Sequence, residues 1–182
     1  MKSGLASLPL TAAVLISAVF ATTLLPRTGP RPLMVAGPLI AAVGLAYLTQ
    51  ITATSSYLVH VLPALILVGF GLGLLFVPLS NTALVGVENR DAGAASALVN
   101  ATQQVGGAVG TSLFSTIYAS AVSGYIASHG ATPQAQGQAL VHGYTTAFGY
   151  AAGLMAFAGV IAALLIRARK SDLPAGEVVH VG

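Results

Sequence analysis

The chain contains no cysteine and very little charge: four acidic residues and seven Lys and Arg among 182, or 6%. The missing thiols exclude a disulfide-stapled fold, thiolate metal sites and thiol redox chemistry. The shortage of charge excludes more, because a water-soluble domain carries about a quarter charged residues and this chain lacks the polar cover of a solvated globule. Collagen-like and disordered chains are excluded too, since glycine is only 21 residues and 55% of the chain is hydrophobic. The net charge of +3 comes from scattered positions and makes no basic stripe, so no nucleic-acid partner is expected. With a mean hydropathy of +0.86, the composition is that of an integral membrane protein.

Five stretches hold no Asp, Glu, Lys or Arg and are long enough to cross a bilayer as helices. They are Gly4–Leu25, Leu33–Ile51, Leu58–Val85, Ala92–Val122 and Tyr144–Ile166. The third and fourth exceed the ~20 residues that a ~30 Å core demands, so they must tilt, kink or protrude. Pro63 and Pro78 in the third and Gly106, Gly107 and Gly110 in the fourth supply the means. Near-continuous apolar runs favour helices over a barrel, whose strands alternate over ~10 residues. The expected fold is an all-α membrane protein: one bundle over residues 1–170, followed by a disordered polar tail over 171–182. A cleavable signal peptide ending near Val19-Phe20-Ala21 competes for the first stretch. The length of that run and its internal Pro9 favour a span.

Loop charge sets the orientation. Arg27 and Arg31 lie between the first two spans, Arg90 between the third and fourth, and Arg167, Arg169 and Lys170 after the fifth. These three regions share one membrane face, and the other holds only Lys2 with His60, His129 and His142. The positive-inside rule then puts the N-terminus outside and the C-terminus in the cytoplasm of a plasma-membrane protein. The first cytoplasmic turn, Pro26 to Pro32 with Gly29 at its centre, is stiff and tight. The one sizeable loop expected is Ser123 to Gly143. Within it Thr132-Pro133 resembles a helix start and Gly143 a stop, giving a short helix over Pro133–His142.

Chemistry is hard to place. Glu88 and Asp91 fall in a loop, so no span contains a carboxylate for a proton relay or cation site. The histidines are not at ligand spacing, so no metal is expected. No nucleophile–base pair or phosphate loop points to an enzyme, and no cofactor is implied. The glycines Gly69, Gly71 and Gly73 lead to no phosphate-binding lysine and fit helix packing instead. Pro78 stands beside Ser80, Asn81 and Thr82, where a break can free backbone carbonyls or simply fray a helix end.

The fourth span says most. Advancing about 100° per residue from Asn100, the side chains of Gln103, Gln104, Thr111, Ser115 and Tyr118 fall within ~60° of one direction. Gly107 shares the sector, while Leu98, Val105, Val109 and Leu113 take the other side. An unpaired amide in hydrocarbon costs several kcal/mol, so this stripe must face a bundle interior or a watery cavity. It can line a substrate path or glue helices together. Gly106 and Gly110 beside it form a small-xxx-small pair expected to seat another helix.

These residues carry a family resemblance. The run Gly69 to Gly73, Pro78, the short charged turn, the Gly93–Asn100 segment and Gln104 to Gly110 resemble late helices of the fourteen-span EmrB/QacA-type drug exporters of the major facilitator superfamily. The opening Ser3 to Pro9 and the turn Arg27 to Arg31 resemble that family's tenth helix and following cytoplasmic loop, with Arg27, Gly29 and Arg31 as the loop motif. The resemblance runs from Ser3 to Lys170 and implies spans ten to fourteen, most of the C-terminal bundle. It further implies proton-coupled efflux of hydrophobic or cationic small molecules, with the N-terminal half as an indispensable partner. The candidate path residues are Asn81, Asn100, Gln103, Gln104, Thr111 and Tyr118; the packing glycines are Gly69, Gly73, Gly106 and Gly110. Two departures stand out: Thr22 and Pro26 occupy the Gly and Asp positions of the loop motif, and Gln103 replaces an Arg before Gln104. The alternative is a small self-associating membrane protein, a pore or partner subunit.

Overall fold

The computed structural model describes residues 2–166 except 53, 85, 89 and 131, with side chains from residue 7 onward. Arg167, Arg169, Lys170 and the tail over 171–182 lie outside the described residues, as does the side chain of Lys2. Five helices and no strand form among the described residues: α1 Lys2–Thr28, α2 Pro30–Leu48, α3 Leu62–Ala83, α4 Ala92–His129 and α5 Pro133–Leu165. A single π-helical turn, Tyr57–Val61, leads into α3. All five are long and apolar enough to cross a membrane.

Local sequence explains the ends. Gly29 turns the chain with φ 80°, a left-handed value that favours glycine, and Pro30 opens α2 with φ already fixed. Gly130, also at φ 80°, ends α4. Thr132 caps α5 by accepting a hydrogen bond from the Ala135 amide at 3.2 Å, and Pro133 takes the first helical position. The loop expected over 123–143 is not there. Only residues 130–132 separate α4 from α5, because no proline stands between Ser123 and His129 or between Gln134 and His142, and Gly124 and Gly137 are only weak breakers there. Gly143, expected to stop a helix, is buried inside α5.

Packing follows where the backbones come close. The helices meet in the spatial order α1, α3, α2, α5, α4, so α3 lies between α1 and α2, and α5 joins α2 to α4. Gly69 rests on α1, where an added Cβ would stand 2.5 Å from the Leu10 carbonyl oxygen. Gly73 faces Ser17 and Val14, and Gly37 and Gly71 let α2 and α3 touch backbone to backbone. Ala21, Leu25, Leu33 and Leu74 form the buried core, with Ile40, Phe70 and Val77 packed on it. Pro78 is fully buried and sits inside α3 without ending it.

Candidate functional site

α4 is the least covered helix, with no buried residue. It touches the bundle at two places. Near its start it meets the end of α3, and along its second half it packs on α5. The second contact depends on Gly143, where an added Cβ would stand 2.8 Å from the Tyr118 ring and 2.6 Å from Val122. The Tyr118 and Tyr144 rings lie 4.7 Å apart, and Tyr125 OH donates to Gln138 Oε1 at 2.8 Å. Tyr125 also stacks on His129 at 4.2 Å and meets His142 at 5.3 Å. These rings clasp the paired ends of α4 and α5 and account for the helical extension beyond the expected spans.

Between the two contacts a cleft opens. A cavity of about 830 Å³ has Thr111, Ser115 and Tyr118 on its α4 wall. Tyr144 and Phe148 of α5 face them, and Leu45, Val68 and Leu72 close the far side from α2 and α3. A smaller cavity of about 190 Å³ gathers Ser80 and Leu84 of α3 with Ser96, Val99 and Asn100 of α4. On the helical wheel Ser96, Asn100, Thr111, Ser115 and Tyr118 share one side of α4 within about 60° of Asn100. Both cavities therefore lie on the stripe's side. The opposite face is bare: Leu98, Val105 and Val109 are 69%, 64% and 62% exposed.

The individual residues divide as follows. Thr111 and Tyr118 meet in the larger cavity, and Asn100 lines the smaller one. Gln103 and Gln104 are exposed on the same helix and line neither cavity. Asn81 is exposed and donates its Nδ2 back to the Val77 carbonyl at 3.0 Å. Thr111 likewise donates to the Gly107 carbonyl at 2.8 Å, leaving lone pairs rather than a proton for the cavity. Gly106 and Gly110 have nothing within 4 Å, so the close helix approach expected there is not made among the described residues. In the loop motif Gly29 is the reversal, Arg27 is exposed, and Arg31 Nη2 donates to the Ala163 carbonyl at 2.8 Å, tying the turn to the end of α5. The sequence reading missed Tyr144 and Phe148. Their signal was present, a Tyr-x-x-x-Phe spacing that puts two rings on one helix face, but it falls where a loop had been expected to end.

An all-helical bundle of five apolar helices, with a largely apolar cleft that carries a few hydroxyl groups and no carboxylate in any span, is a multi-pass membrane protein. A sequence model of the Major Facilitator Superfamily matches residues 1–111, and the chain belongs to that family, whose members are transporters rather than enzymes. The puromycin resistance protein of Streptomyces alboniger is 44% identical over 170 residues, covering 92% of this chain and 34% of that protein. The cephamycin export protein of Amycolatopsis lactamdurans is 41% identical over 102 residues, 54% of this chain and 21% of that protein. The lincomycin resistance protein of Listeria monocytogenes is 30% identical over 144 residues, 78% of this chain and 30% of that protein. The chain thus spans about a third or less of the length of these relatives.

Proposed function

We propose that the chain supplies the C-terminal helices, spans ten to fourteen, of a drug-efflux transporter and contributes one wall of its substrate path. The observation that carries this is the polar face of α4 turned to the cleft, with Tyr118, Tyr144 and Phe148 offering rings and Thr111 and Ser115 offering hydroxyl oxygens. Such a wall suits hydrophobic or cationic small molecules, since ring faces attract both apolar groups and cations. The names of the relatives, which concern resistance to or export of antibiotics, support the same substrate class. The remaining helices of the transporter supply the other wall. The acids that couple efflux to protons reside there too, because Glu88 and Asp91 are outside the spans of this chain. The protein sits in the plasma membrane with the N-terminus of this chain outside and its C-terminus in the cytoplasm, as the Arg27, Arg31 and Arg90 loops favour.

Alternating access rocks one bundle against another around a midplane site. Five helices by themselves have no opposing bundle, so this chain alone in liposomes is expected to give no proton-driven efflux of ethidium. In the exporter that contains it, Tyr118→Ala and Asn100→Ala are expected to lower puromycin export at least fivefold at normal expression. Unchanged export in both variants overturns the path assignment, and ethidium efflux by the chain alone overturns the need for a partner half.

A further inference from the structure

The side of α5 turned away from the cleft carries a second depression, a groove of about 670 Å³. Its upper part is the more polar, with Thr49 from the end of α2 beside His142, Thr145 and Thr146 of α5, and Tyr150 follows between the glycines with its side chain leaning back toward that end. Its lower part carries little side chain: Gly149 lies next to Thr49, whose methyl would stand 3.8 Å from an added Cβ, Gly153 exposes backbone, and Leu154 closes it. Thr49 has already given its hydroxyl proton to the Ala46 carbonyl, at 2.7 Å. The His142 carbonyl accepts from Thr145 Oγ1 at 3.1 Å and its ring packs on Tyr125, but the side chains of His142, Thr146 and Tyr150 make no hydrogen bond among the described residues, so their donors remain for a ligand.

Two helices, measured from one shared anchor, give the depth of this groove. Arg31, an exposed cation bonded to the Ala163 carbonyl, marks one polar boundary of the bilayer. Along α2, Thr49 lies about 27 Å from Arg31, and along α5, Thr145 lies about 27 Å from Ala163, at 1.5 Å per residue. Both distances come close to the ~30 Å hydrocarbon thickness. The polar end of the groove therefore sits at headgroup level in the leaflet opposite Arg31, and the glycine end points into the acyl region.

We propose that this groove binds one phospholipid of that leaflet. The phosphate accepts hydrogen bonds from Thr146, Tyr150 and His142, and one acyl chain lies along the backbone of Gly149 and Gly153 against Leu154. A hydrocarbon chain alone offers no acceptor to the three donors at the polar end, and a soluble anion leaves the glycine trough empty. Only an amphiphile with an acceptor at one end fits both parts.

Native mass spectrometry of the full chain in mild detergent tests this. Three additions are compared: a palmitoyl-oleoyl phosphatidylglycerol, the matching phosphatidylethanolamine, and dioleoylglycerol, which has no phosphate. One phospholipid is expected to stay bound per chain, with dioleoylglycerol retained at least tenfold less. Gly149→Leu with Gly153→Leu fills the trough and is expected to cut retention about tenfold. Gly124→Leu, on an open stretch of α4, leaves it unchanged. Should the filled trough fail to fold, Thr146→Val with Tyr150→Phe keeps the shape and is expected to lower phospholipid retention severalfold. No retained phospholipid, equal retention of dioleoylglycerol, or undiminished retention in the Thr146/Tyr150 variant overturns the proposal.

Discussion

Gly69 and Gly73 show how single residues set the spacing of this bundle. Each lies where α3 meets α1, and the atoms that a Cβ would meet include the backbone carbonyls of Leu10 and Val14. Backbone cannot rotate away as a side-chain tip can, so adding a side chain forces two helices apart. Gly73→Leu is therefore expected to destabilise the protein by at least about 2 kcal/mol, within the usual range for overpacking, measured as thermal unfolding in detergent. Gly93, on α4, has nothing within 4 Å, and Gly93→Ala is expected to be neutral or slightly stabilising, because alanine costs less backbone entropy in a helix. Sequence alone ranks these glycines alike. All of them read as small residues in apolar runs, and only the partner helix, set by distant contacts, distinguishes a glycine under a carbonyl from one facing open space.

The helices as elements were legible in the sequence, and their lengths were not. Hydropathy marks the part of a helix that suits hydrocarbon, so it ended α4 near Val122 and began α5 near Tyr144. The helices continue through polar residues because Ser123 to His129 and Gln134 to His142 contain no proline and only Gly124 and Gly137 as weak breakers. The Tyr125, Gln138 and His142 contacts then hold the two extensions together. The Thr132-Pro133 start was readable, since a cap and a first-turn proline act locally. The contact of Arg31 with Ala163 could not be read, as it joins residues far apart in sequence. Arg31→Ala is expected to raise amide hydrogen exchange severalfold in the last turn of α5, around Ala162 to Ile166, while Arg27→Ala leaves it unchanged. Equal protection in both variants would mean that Arg31 does not hold that end.

Across the whole molecule, the cleft and the bare outer face of α4 belong together. Ser96, Asn100, Thr111, Ser115 and Tyr118 point toward α3 and α5, where cavities form, and Leu98, Val105, Val109 and Leu113 point the other way. Gly106 and Gly110 remain open at the edge of the stripe, a place for a helix from the rest of a transporter or from a second copy. Crosslinking in native membranes distinguishes these two partners. A defined homo-oligomer with no larger species favours the self-associating alternative, and a product with a helix of the opposing half favours the exporter.

The most direct test uses the chain's lack of cysteine, which makes single introduced thiols the only reactive ones it carries. Asn100→Cys, Gln104→Cys and Thr111→Cys are compared with Leu98→Cys, Val105→Cys and Val109→Cys in intact membranes. The readout is the labelling rate with a water-soluble maleimide, whose thiolate target forms readily only where water reaches. Rates at positions 100, 104 and 111 are expected to exceed those at 98, 105 and 109 by at least tenfold. The reverse order, with the carboxamide side protected and the leucine–valine side labelled, would contradict an inward-facing path on α4.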